Sequence, residues 1–146
     1  VANALSESGK KMQSRVIAFI KELEVTPTQI WTSSLLAASE TARMIAREYN
    51  QEPIELEVLG ELEMFDEAMI NEQVKELPDE STVLIVSRAL PLMRLASYWL
   101  GYPYYAGAPP ASSALFLVFK NKVGSKEAKL VRFVTYEDLV FGEKIK

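Results

Sequence analysis

Neither histidine nor cysteine occurs anywhere in the 146 residues. Without an imidazole the chain has no side chain that ordinarily titrates between pH 5 and 8, and it cannot form a phosphohistidine or a serine-histidine pair. The usual ligands for zinc, iron and copper are missing too, so no metal and no cofactor is expected. Zero cysteines also leave nothing to report a redox compartment, and a cytoplasmic location is the default expectation.

A basic stripe is lacking as well. Sixteen Lys and Arg stand against twenty Asp and Glu, for a formal charge of −4, with neither sign gathered into a run. Neutralising phosphates along a nucleic acid needs such a stripe, so no nucleic-acid partner is expected. The most apolar stretches, such as 82–86 and 114–119, are far shorter than the roughly 20 residues that span a bilayer, and no secretory leader is expected at the start. No membrane partner is expected.

What remains is ordinary globular composition, 49% hydrophobic and 25% charged. The chain has the length of one domain, 1–146, without repeat or linker. Met12, Val16, Phe19, Ile20 and Leu23 recur every three or four positions and predict a helix from about Ser6, its N-cap, to Leu23. A short strand follows over Gln29–Thr32. Ser33 and Ser34 are cap candidates for a second helix reaching Tyr49.

Ile54–Leu59 alternates apolar and acidic residues, the pattern of a strand at a sheet edge. A weaker third helix ends near Leu77, ahead of Pro78. The apolar run Thr82–Val86 reads as a central strand buried on both faces, and a fourth helix covers Leu90–Leu100. Runs 114–120 and 129–135 flank a turn at Gly124 and read as a hairpin. The fold class expected is α/β, a three-layer α/β/α sandwich whose mostly parallel sheet ends in a C-terminal antiparallel hairpin. A chain of this class usually opens on a strand; this one opens on a helix.

Three segments resemble the small, SixA-like branch of the histidine phosphatase superfamily, whose fold is that of phosphoglycerate mutase. Leu5-Ser6-Glu7-Ser8-Gly9 is similar to the family's L-T-x-x-G. Ser33-Ser34-Leu35-Leu36-Ala37-Ala38-Ser39-Glu40-Thr41-Ala42 resembles S-S-x-L-R-A-x-Q-T-A, and Val83 to Leu92 resembles L-L-V-G-H-x-P-x-L. The closing Val131 to Thr135 resembles the family's last strand.

That resemblance implies hydrolysis of a phosphoric monoester or a phosphohistidine. A histidine of an R-H-G motif would attack, and two arginines and a second histidine would surround the phosphoryl oxygens. Here the family's second-motif arginine is Ala37 and its second histidine is Arg88. The R-H-G strand aligns ahead of Val1, or, by a looser alignment that deletes a loop, on Val1 to Ala4. No catalytic position is intact. The expectation is a degenerate homologue that acts as a binding or regulatory module. The alternatives are a fragment whose R-H-G strand lies upstream, or a phosphate- or phosphopeptide-binding module.

The candidate anion-binding residues are Arg88, Ser33 and Ser34. Arg88 could hold a phosphate or a partner's carboxylate, or fill the vacated histidine site and pair with Glu61 or Asp66. Ser33 and Ser34 could face an anion at a helix start or cap that helix. Glu61, Glu63, Asp66 and Glu67 could form a hard-cation site or a solvated loop. The tyrosines and prolines of 102–110 could meet a protein partner or pack on the core.

Overall fold

The computed structural model describes residues 6–59, 65–103, 113–119, 123–124 and 127–135. Four helices, α1 (Glu7–Glu22), α2 (Leu36–Tyr49), α3 (Glu67–Lys75) and α4 (Ala89–Leu100), alternate with strands β1 (Gln29–Thr32), β2 (Ile54–Glu55) and β3 (Val83–Val86). Strands β4 (Ser113–Phe119) and β5 (Ala128–Thr135) follow.

Each helix starts or stops where local chemistry allows it. The Ser6 hydroxyl accepts from the Gly9 N–H at 3.0 Å and begins α1. The Asp66 carboxylate accepts from the Met69 N–H at 3.0 Å and begins α3. Asn50 and Gly101 close α2 and α4 in the left-handed conformation, at φ 53° and 84°, which these two residue types adopt readily.

The sheet runs in the order β2-β1-β3, and all three strands are parallel. Trp31 and Thr32 face Ile54 and Glu55 on one side, and Gln29 to Thr32 face Val83 to Val86 on the other. Successive side chains of one strand point to opposite faces, so β1 and β3 feed two cores. Ile30, with Leu84 and Val86, packs with Ile17 of α1 and Ala42, Ile45 and Ala46 of α2. Trp31, with Val83 and Ile85, packs with Ile70 and Val74 of α3 and Leu95, Ala96, Trp99 and Leu100 of α4. Burial of a side chain such as Ile30 or Ile70, both wholly inaccessible, contributes roughly 2 kcal/mol before conformational entropy is counted. The α/β sandwich with a parallel sheet is therefore as expected.

Four expectations are corrected. No antiparallel hairpin closes this sheet. Among the described residues, strands β4 and β5 pair only with each other, Ser113 opposite Thr135 and Phe119 opposite Ala128, as a separate two-stranded ladder. The strand expected over Ile54–Leu59 stops at Glu55, because β1 offers no residue beyond Thr32 to pair with; Glu57–Leu59 coils into a 3-10 turn instead. The middle strand of the three is β1, not β3. Finally, α2 begins at Leu36 with Leu35 in the N-cap position and no side-chain cap bond, so neither Ser33 nor Ser34 caps it.

Candidate functional site

Parallel pairing of β1 with β3 brings the two sequence motifs together. Thr32 lies opposite Val86, and the Ser33 N–H donates to the Val86 carbonyl at 3.2 Å. The residues that follow, Ser33-Ser34 and Ser87-Arg88, therefore share the carboxyl end of the sheet. Helices α2 and α4 both start there. Open α/β sheets bind their ligands at this end, outside the strand carboxyl termini.

Neither helix start is capped by a side chain: Leu35 and Arg88 occupy the two N-cap positions without a side-chain bond. The first-turn N–H groups of an α-helix have no partner within the helix, and their dipoles favour negative charge. Pro91 in the first turn of α4 has no N–H to offer. Ala37, in the first turn of α2, is half-buried and brings no donor beyond its backbone.

Ser33 is wholly inaccessible, and its hydroxyl has no hydrogen-bond partner among the described residues. An unpaired buried hydroxyl costs on the order of 1 to 3 kcal/mol. Ser34 is exposed. Arg88 is exposed too and makes no ion pair with any described residue; Asp66, one of its two expected partners, is occupied with capping α3. Glu61, its other expected partner, and Glu63 lie outside the described residues, as do residues 104–110 of the tyrosine- and proline-rich segment. Tyr102 is exposed.

Glu67 is engaged by an arginine. Its carboxylate holds Arg94 at 2.6 Å, and the Arg94 guanidinium lies 5.1 Å from the centre of the Phe65 ring. No cluster of three or more acidic side chains able to hold a metal occurs among the described residues.

Two residues that the sequence did not single out frame the site. The Ser87 hydroxyl donates to the Leu59 carbonyl at 2.5 Å, and Arg94 grips Phe65 and Glu67. Leu59 and Phe65 are both buried, so the two ends of the acidic segment are tied to the β3–α4 unit that carries Arg88. Only the position of Ser87, directly before Arg88, hinted at a role.

A helix-flanked parallel sheet with this order of elements and motifs defines a class: the chain has the fold of the histidine phosphatase and phosphoglycerate mutase-like superfamily. A family model for the histidine phosphatase superfamily (branch 1) matches residues 3–71. The protein histidine phosphatase SixA, solved with tungstate, superposes with a TM-score of 0.78 at 15% identity, over 93% of this chain and 86% of that one. A phosphoserine phosphatase mutant from Entamoeba histolytica, solved with phosphoserine, gives 0.73 at 15% identity, again over 93% and 86%. A phosphoglycerate mutase from Plasmodium falciparum gives 0.67 at 20% identity, over 88% and 83%. No curated protein sequence matches the chain. At these identities the likeness extends to the fold alone.

No helix among the described residues is long and apolar enough to cross a membrane.

Proposed function

We propose that the chain is a catalytically silent, SixA-like relative of the histidine phosphatases that serves as a binding or regulatory module. The observation that carries this reading is the content of the carboxyl end: Ala37 and Arg88 stand at the positions where the resemblance places an arginine and a histidine, and no histidine exists in the 146 residues. Phosphoryl transfer by this family's route needs an imidazole nucleophile, and a guanidinium that stays protonated cannot replace it as nucleophile or general acid.

The features left at that end favour recognition of an anion, either a phosphate or an acidic group of a protein partner. Arg88 supplies a forked donor, the uncapped start of α2 supplies backbone N–H groups, and Ser34 supplies an exposed hydroxyl.

Turnover of an aryl phosphate and of a phosphohistidine peptide tests the loss of catalysis. Rates at the uncatalysed background are expected; enzymatic turnover that disappears in Arg88→Ala or Ser34→Ala would overturn it. Inorganic phosphate followed by thermal shift tests the anion site. Stabilisation at millimolar ligand, lost in Arg88→Gln, supports phosphate, and its absence moves the reading to a protein partner.

A second reading is that of a histidine phosphatase domain whose first strand lies upstream, and one observation favours it. Strand β3 is apolar throughout and feeds both cores, as an interior strand does, yet it has no strand on its outer edge among the described residues. Helix α1 lies on the same face as α2 and ends beside it, with Lys21 3.0 Å from Glu48. Right-handed crossovers then send a strand that feeds α1 to the β3 side of β1, and the place next to β1 is taken by β3 itself. The outer edge of β3 is what remains. Reading the codons upstream of Val1 tests it directly: an R-H-G motif there supports it, and a stop or an unrelated segment overturns it.

A further inference from the structure

We draw no further inference here: the strongest candidate, the outer edge of β3 at the boundary of the parallel sheet, is already taken up by the second reading above, and nothing among the described residues shows what else covers it.

Discussion

The two ends of the parallel sheet are built differently. At the amino end polar groups find partners in dense succession. The Thr28 hydroxyl donates to the Thr82 carbonyl at 2.9 Å and accepts from the Thr82 N–H at 3.0 Å, the Gln51 amide donates to the Pro27 carbonyl at 2.5 Å, and the Tyr49 hydroxyl donates to the Val25 carbonyl at 2.9 Å. At the carboxyl end one buried hydroxyl has no partner among the described residues, two helix starts have no side-chain cap, and an arginine is exposed. Among the described residues, the unmet side-chain bonding capacity lies at the carboxyl end. Sites that bind are commonly built from such unmet capacity, which a ligand rather than the fold completes.

Substitutions separate the two ends by size of effect. The largest is expected at Asn71. Helix α4 starts at the carboxyl end of β3 and runs back, which carries Trp99 toward the amino end, where its indole N–H donates to the Asn71 side-chain Oδ1 at 2.9 Å in a buried pair bridging α3 and α4. Asn71→Ala leaves that N–H unpaired beside a small cavity, and a loss of about 3 kcal/mol is expected from denaturant unfolding. A loss under about 1 kcal/mol would mean that the end supposed to be tightly satisfied is not.

Tyr49 gives a smaller effect with a distinct pH signature. Burial pushes its phenol above the ordinary value; Glu48 adds to the rise, and Lys21 opposes it. A folded pKa above the unfolded one means that this contribution to stability is complete below about pH 10 and is lost as pH climbs through the folded value. Tyr49→Phe removes the bond to Val25 and is expected to cost about 1 kcal/mol at neutral pH. The difference from the parent chain should shrink above about pH 10, where the unfolded tyrosine ionises. A constant difference across that range in paired unfolding curves would show that the phenol does not titrate with folding.

Much of this contrast was legible in the residues, and what was not has physical causes. Ser6 as a cap, Gln29–Thr32 as a strand and the amphipathic face of α1 follow from local chemistry and were read correctly. Over Ile54–Leu59 the alternation records which face a side chain would take, not whether a neighbouring strand is long enough to pair. In Val83–Val86 the apolar side chains report covered faces and say nothing about edges, so they do not tell a central strand from an outer one. The capping role for Ser33 and Ser34 falls short by two residues and one, because the three residues 33–35 make the turn from β1 into α2 and leave Leu35 at the N-cap. The placement of Ser33, Ser87 and Arg88 at one end of the sheet arises from pairing between strands some fifty residues apart, which no local pattern encodes.

The smallest effect is expected at Ser33, and it probes the carboxyl end most directly. Its hydroxyl is inaccessible and has no partner among the described residues, so Ser33→Ala is expected to remove a desolvation cost and no hydrogen bond. Stability should stay level or rise by up to about 1 kcal/mol, the reverse of what Tyr49→Phe gives at the opposite end, since a buried polar group without a partner is a net cost. If the melting temperature instead falls by several degrees, the hydroxyl has a partner after all, and the division of the molecule into a satisfied end and an unsatisfied one fails at the residue on which it most depends.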